Sequence, residues 1–366
     1  MFKKSLLLVT AAAAAAASFA APVSAAEVKA AAYTDLRYGI DYFNDRPNTG
    51  NPTDYNFVNH GSYWGAKGST EQGGIVAFGG YERWLDADTV IGLDIVRQAY
   101  AGVKTAYGTL QYGTFASAYM ESGRKLDPFY ATGAAGVGQP GFLNVAGGQS
   151  HGLSGLTSDV TTNAILLGGG GPGGFIPNQI AYTSPSFAGV SVNAAVMIDD
   201  SSGNNAQDDY AGGVEFNNWG ITGGLQYLEA NSDATAIPNT GLPEDTEAYR
   251  VYGGFNQKRF GINVSAEKLD LNGGTLDQQY LMVSGWFGVM EGTRVAASYG
   301  SENETGAEGT SLRAGLFYDV LDNFTTHIVY RNFNSTQYGI TGQPDDQVVS
   351  LGATYKFELS GTTNTH

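Results

Sequence analysis

The stretch QVVSLGATYKF, Gln347 to Phe357, alternates in polarity along its whole length. Val349, Leu351, Ala353, Tyr355 and Phe357 fall on one face, and Val348, Ser350, Gly352, Thr354 and Lys356 on the other. A repeat of two marks a strand with one oily side and one mostly wet side. The same pattern recurs almost from end to end. YTDLRYGIDY sets Thr34, Leu36, Tyr38, Ile40 and Tyr42 against Asp35, Arg37, Gly39 and Asp41. GVSVNAAVMI, FGINVSAEK, RVAASYG and SLRAGLFYD repeat it, with Arg294 and Arg313 on wet faces. QQYLMVSGWFG (278–288) is apolar on both faces and has no register that the sequence decides.

Connections between these segments alternate in length. One set is tight: 68–74, 104–108, 183–189, 217–220, 256–261, 288–293 and 319–324. The other is mostly longer and rich in Gly, Asn, Asp and Glu: 44–59, 85–93, 116–176, 199–209, 229–247, 269–277, 300–310 and 332–346. Seven turns and eight loops join sixteen strands. An even number of alternating strands, with short turns at one end and long loops at the other, predicts a transmembrane antiparallel β-barrel. Sixteen half-polar strands would fill the core of a soluble sandwich poorly. In lipid every backbone polar group needs an internal partner, and a closed barrel is the sheet that provides it. The oily face of QVVSLGATYKF therefore points at lipid. Shifting the first strand by one residue would turn Arg37, Asp35 and Asp41 to the hydrocarbon, where a basic residue costs about 2–4 kcal/mol at mid-depth. Tyr63/Trp64, Tyr81/Trp84, Trp219 and Tyr355/Phe357 gather near strand ends, as interfacial aromatic girdles do. A barrel of this strand number encloses water rather than a packed core.

The first 26 residues read as a secretory leader: MFKK is basic, SLLLVTAAAAAAASFA apolar, and APVSAA ends in small residues suited to cleavage after Ala25 or Ala26. The expected division is leader 1–26, barrel 27–357 and tail 358–366. The chain has no cysteine, so a disulfide framework and a thiolate metal site are both excluded. No other stretch approaches the about 18 apolar residues of a spanning helix. Net charge is −16, and loss of Lys3 and Lys4 leaves 17 basic against 35 acidic residues, a net of −18. Such a field repels nucleic acid and favours cations.

HGSYWGAKGSTEQGG (60–74), RQAYAGVKTAYGTLQYG (97–113), NQIAYTSPSFAGVSV (178–192) and GATYKF (352–357) resemble, in order, motifs of the Gram-negative general diffusion porins. The resemblance implies a sixteen-stranded, water-filled barrel, usually trimeric, that passes small hydrophilic solutes without a reaction. It also implies that the third outer loop, about 116–176, folds into the lumen and sets carboxylates against basic residues of the wall. By that resemblance Glu121 and Asp127 are the candidate constriction acids, with Arg124 and Lys125 beside them. Arg37 and Lys67 match inward basic positions of the family. Tyr63 and Thr114 stand where two of its arginines are expected, which thins the basic ladder. Arg97, Arg250, Arg294, Arg313 and Arg331 supply positive charge at other depths.

Other chemistry is sparse. A barrel hydrolase needs serine, histidine and an acid within reach. His151 and Ser154 lie close in sequence, without the G-x-S-x-G context. The acidic pairs Asp199/Asp200, Asp208/Asp209, Glu244/Asp245 and Asp345/Asp346 sit in outer loops. They suit loose Ca²⁺ or Mg²⁺ binding that bridges lipopolysaccharide phosphates; no other cofactor is expected. The sequence thus predicts a passive outer-membrane channel for ions and small hydrophilic solutes, cation-preferring and homotrimeric. A substrate-specific channel is the alternative, followed by a barrel enzyme.

Overall fold

The computed structural model describes residues 27–44, 53–85, 96–130, 132, 175–197, 209–230, 246–271, 276–304, 307–335 and 346–364. The leader, most of the outer loops, and His151 with Ser154 lie outside them. All described strands belong to one antiparallel sheet that closes on itself. In chain order the strands are β1 (Glu27–Asn44), β2 (Thr53–Asn59), β3 (Tyr63–Gln72), β4 (Ile75–Trp84), β5 (Val96–Thr105) and β6 (Gly108–Ala116). One helix, α1 (Ala118–Leu126), separates these from β7 (Phe175–Thr183), β8 (Val190–Met197), β9 (Asp209–Asn218), β10 (Ile221–Ala230) and β11 (Thr246–Asn256). The last six are β12 (Phe260–Leu271), β13 (Leu276–Met290), β14 (Thr293–Glu304), β15 (Ala307–Leu321), β16 (Phe324–Ser335) and β17 (Asp346–Asn364).

Seventeen segments make sixteen staves, because β2 and β3 both pair with β1, one above the other. The second stave breaks at His60–Ser62. There the Ser62 hydroxyl accepts from the Arg37 backbone N–H at 2.7 Å, and the His60 N–H donates to the Arg37 carbonyl at 2.8 Å. A side chain thus takes over a ladder bond where the strand bulges. Half of the loop expected over 44–59 is consequently strand.

The alternation holds as predicted. Asp35, Arg37 and Asp41 are buried towards the lumen while Ile40 and Tyr42 are exposed outside. Ser350 and Val348 are buried; Leu351, Tyr355 and Phe357 face out. All seven short turns connect paired strands at one end, as in the Trp219–Gly220 turn, where φ is 55° and 79°. The undecided stretch resolves too: Leu281, Val283 and Phe287 face lipid, whereas Tyr280 and Met282 are buried inside. Both faces are apolar because lipid covers one, while on the other Leu126 packs on Met282 and the cluster around Phe129 takes Trp286.

Two expectations need correction. The girdle is half of what adjacent aromatics suggested, since neighbouring residues on a strand point to opposite faces. Trp64 and Tyr81 pair edge to face, whereas Tyr63 and Trp84 take arginines of the wall over their rings. The second concerns the end of the barrel. β17 does not stop at Phe357 but runs to Asn364, paired with β1 down to Glu27. Residues expected as a tail are strand because the first residues of β1 offer them a ladder.

Leu351, 57% exposed on β17, reports which medium surrounds the barrel. Leu351→Arg should lower the unfolding free energy in lipid vesicles by about 2–4 kcal/mol, read from a guanidinium titration of tryptophan fluorescence. A loss below about 0.5 kcal/mol, usual for a surface change in water, would mean that this face meets water.

Candidate pore constriction

The described part of the third loop begins where β6 ends. Ser117 caps α1, its hydroxyl accepting from the Met120 N–H at 3.1 Å. Glu121 lies in the first turn and Arg124 and Lys125 in the last, each complementing the helix dipole. One face of the helix, with Tyr119, Met120, Ser122 and Leu126, is buried. The segment is held on the far wall by a set of inward side chains. Arg250 of β11 donates to the Tyr119 carbonyl at 2.5 Å and to the Ser122 hydroxyl at 2.8 Å. Its Nε reaches Glu267 of β12 at 2.5 Å. At the helix end, the Leu126 carbonyl accepts from Ser284 at 2.5 Å and from Asn263 at 3.3 Å, satisfying an acceptor that the helix leaves open. The Leu126 side chain packs on Tyr252 and Met282.

The chain then turns along the wall. Asp127 accepts from the Phe129 N–H at 2.9 Å and takes Arg313 of β15 in a fork, at 2.8 and 3.2 Å. Phe129 is fully buried among Ala296, Phe317, Val329 and Val348. Gly315 makes this possible: a Cβ there would come within 2.8 Å of the Phe129 ring. The Arg313 guanidinium lies 4.7 Å from that ring's centre. The described start of the third loop, through Tyr130, therefore folds into the lumen, as the resemblance implied for the loop.

The other side of the constriction is built from β1, β3, β4 and β5. A bulge between β4 and β5 places Gln98 opposite Glu82 and Val96 opposite Arg83, leaving Arg97 as the extra residue. Arg97 and Gln98 can then both turn inward to Glu82, which Arg97 contacts and Gln98 reaches at 2.7 Å. Tyr33 donates to the same carboxylate at 2.6 Å. Arg97 Cζ stands 3.9 Å from the centre of the Tyr63 ring and 5.0 Å from that of Trp84. Arg37, bound in a fork by Asp35 at 2.9 and 2.7 Å, stands 5.4 Å from Tyr63 and 5.5 Å from Tyr130. Arg124 closes the series at 5.0 Å from Tyr130.

The candidate residues separate into three groups. Arg37, Glu121 and Arg124 come together beside Tyr130, with Arg124 and Glu121 paired at 2.5 Å and the Glu121 side chain 46% exposed. Arg97 joins them by way of the bulge, a feature that strand alternation does not encode. Arg250, Arg313 and Asp127 form the buried seat of the loop, so Asp127 anchors the segment and Glu121 is the acid that meets solution. Lys125 leaves this group and pairs with Glu215 of β9 at 2.7 Å. Lys67 pairs with Glu358 at 2.9 Å and Arg294 lies 4.5 Å from the Phe317 ring, both towards the short-turn end. Asp209 and Asp346 begin strands, and the other outer-loop acids are outside the described residues. Among the described residues no three acids or imidazoles gather as metal ligands would.

Asp127→Ala would leave the guanidinium of Arg313 buried without its carboxylate, a change that costs about 3–5 kcal/mol. Release of the segment from the wall relieves that cost. The variant should show new proteolysis between β6 and β7 and a changed open-channel conductance with the barrel intact. Resistance to protease equal to that of the parent would mean that Phe129 and Arg250 seat the loop without Asp127.

Sequence comparison matches residues 10–365 to the family described as Gram-negative porin. No curated protein matches the sequence. Among solved structures, the chain is similar to the anion-selective porin from Comamonas acidovorans, at 15% identity and a TM-score of 0.70, over 90% of this chain and 100% of that one. It is similar to the trimer form of OmpT, an outer membrane protein of Vibrio cholerae, at 15% identity and a TM-score of 0.63, over 90% and 99%. A mutant of the Rh. blastica porin matches at 14% identity and a TM-score of 0.58, over 90% and 100%. Identities this low carry the fold and leave selectivity to the residues of the lumen. The closed barrel, the inward start of the third loop and a match along nearly the whole sequence lead to one conclusion: this chain belongs to the Gram-negative porin family and is an outer-membrane β-barrel.

Proposed function

We propose that this outer-membrane diffusion channel passes ions and small hydrophilic solutes down their gradients with a weak preference for cations, and that it works as a homotrimer. The observation that carries the reading is the cancellation of charge along the lumen. Arg37 is held by Asp35, Arg97 by Glu82, Arg250 by Glu267, Arg313 by Asp127 and Lys125 by Glu215. Guanidiniums that each carry their own carboxylate exert little net pull on anions. The excess charge of the mature chain, −18, is negative and sets the sign of the field. Fold likeness to an anion-selective porin does not oppose this, because selectivity follows pore-lining charge rather than strand count. The trimer is supported by the trimer form of the Vibrio cholerae protein. A substrate-specific channel is the second reading, favoured by the alternation of rings and guanidiniums from Trp84 to Arg124. No enzymatic step is part of either.

The same reading extends to the membrane. Ca²⁺ or Mg²⁺ held loosely by the acidic outer loops would bridge them to lipopolysaccharide phosphates. EDTA should then lower the Tm of the protein in lipopolysaccharide-containing vesicles and leave it unchanged in phosphatidylcholine. Equal Tm values in the two would remove the metal from the account.

The first test is single-channel current in a planar bilayer under a KCl gradient. Open steps grouped in threes, with a reversal potential on the cation side, are expected. The preference should be stronger near 0.1 M, where the Debye length is about 10 Å, than at 1 M, where it is about 3 Å. Glu121→Gln, which removes the half-exposed acid, should move the reversal potential towards zero. An anion-side potential would overturn the charge reading, an unchanged potential in the variant would take Glu121 off the permeation path, and no steps at all would overturn the channel.

A further inference from the structure

Resting on the channel reading, we infer that His327 is an acid-sensitive catch for the described start of the third loop, and that protonation of its imidazole releases the constriction segment from the wall. His327 points inward from β16 and is 6% exposed. Its partner on β17, Gly352, makes room for the ring, since a Cβ there would stand 2.6 Å from Nε2. On one side the imidazole lies 6.0 Å from the ring of Phe317 on β15, which lies 6.0 Å from that of Phe129 in the loop. On another it meets the backbone of Thr132, the last residue described before β7. One side chain thus touches wall and loop together, beside the seat that Asp127 and Phe129 form.

This position suits a neutral ring. Nε2 has no hydrogen-bond partner among the described residues, which leaves the other ring nitrogen to serve Thr132. A second proton therefore goes to Nε2, where it makes a buried charged donor without an acceptor. The groups that face the ring add to the penalty. His60 faces it from the break in the second stave, and Arg294 reaches it from β14, with its guanidinium 4.5 Å from the Phe317 ring. Arg331 is buried two inward positions further along β16. The carboxylates of this stretch of wall are engaged elsewhere, Asp41 with Ser350 at 2.5 Å and with His60 at 3.4 Å, and Asp319 with Thr325 at 2.7 Å.

The two histidines differ in this respect. An imidazolium at His60 gains the carboxylate of Asp41, whereas one at His327 gains only positive neighbours. Release of the segment gives the His327 imidazolium water instead. Proton uptake is therefore tied to release, in the range below about pH 6.5 where a free imidazole takes its proton. Acid opens the catch, and return to neutral pH reseats the segment.

The test uses the full-length protein in lipid vesicles. The chain has no cysteine, so Glu121→Cys accepts a single spin label on α1, at a side chain 46% exposed. The label should show one slow component at about pH 7.5 and gain a faster one in acid, the ratio of fast to slow rising about tenfold or more by about pH 5. His327→Gln and His327→Phe, neither of which takes the proton, should each hold that ratio within about twofold over the same range. His60→Gln should leave the rise in place. No rise in the parent, an equal rise in both His327 variants, or a rise lost only in His60→Gln would overturn the catch. KCl steps recorded at neutral pH keep the two readings apart: their absence would overturn the channel, while the label still decides the catch.

Discussion

A sheet in hydrocarbon cannot leave an edge, and that constraint governs the rest of this molecule. Each backbone group left unpaired in the bilayer costs several kcal/mol, so the first and last strands must meet. They do so over 18 residue pairs, from Glu27 opposite Asn364 to Asn44 opposite Gln347. Once the seam is closed, the alternation of side chains leaves no choice of face. Apolar residues such as Val283, Leu351 and Phe357 take the outside, and charged strand residues such as Asp35, Arg37 and Asp41 the inside. The lumen is wet and charged as a consequence of the seal.

A wet lumen cannot hold a loop by burial of a continuous apolar surface, and the protein solves this locally. Small apolar patches interrupt the polar wall where the loop sits: Tyr252 and Met282 under Leu126, and Phe317, Val329 and Val348 around Phe129. Between them the wall supplies polar partners for the loop's own backbone, as Arg250 does for the Tyr119 carbonyl and Ser284 for that of Leu126. Buried ion pairs such as Arg313–Asp127 contribute little net stability compared with apolar contacts of similar size. Their value here is positional. A fork of two hydrogen bonds fixes the angle at which the chain leaves α1, and so decides where Phe129 and Tyr130 land.

The same economy of pairing shapes the electrostatics of the pore. Arg37, Arg97, Arg250 and Arg313 come with neighbours of opposite sign, on the same strand for Arg37 and Asp35 and on adjacent strands for Arg250 and Glu267. Cancellation at short range leaves the long-range field to the unbalanced acids of the chain. Aromatic rings take over part of the work that bare charge would do. They hold guanidiniums in place without adding a second positive group.

The sequence by itself determined the barrel, the number of staves, the inward face of each clean strand and the end at which the turns are short. Those properties follow from a period of two and from the penalty for charge in lipid, and both are written locally in residues such as Arg37, Asp41 and Leu351. It also marked the third loop by length. What only the tertiary structure decided is which inward residues meet. Arg97 reaches Glu82 through a bulge, which is a slip between two strands and belongs to neither alone. Tyr63 and Trp84 read as girdle residues until register placed them over arginines of the wall. Asp127 and Glu121 look alike in sequence, six residues apart on one loop, yet one is buried against Arg313 and the other faces solution. Alternation says whether a side chain points in or out. Partnership inside a closed barrel depends on register, bulges and the path of a loop across the lumen, and these are set by contacts between residues as far apart as 127 and 313.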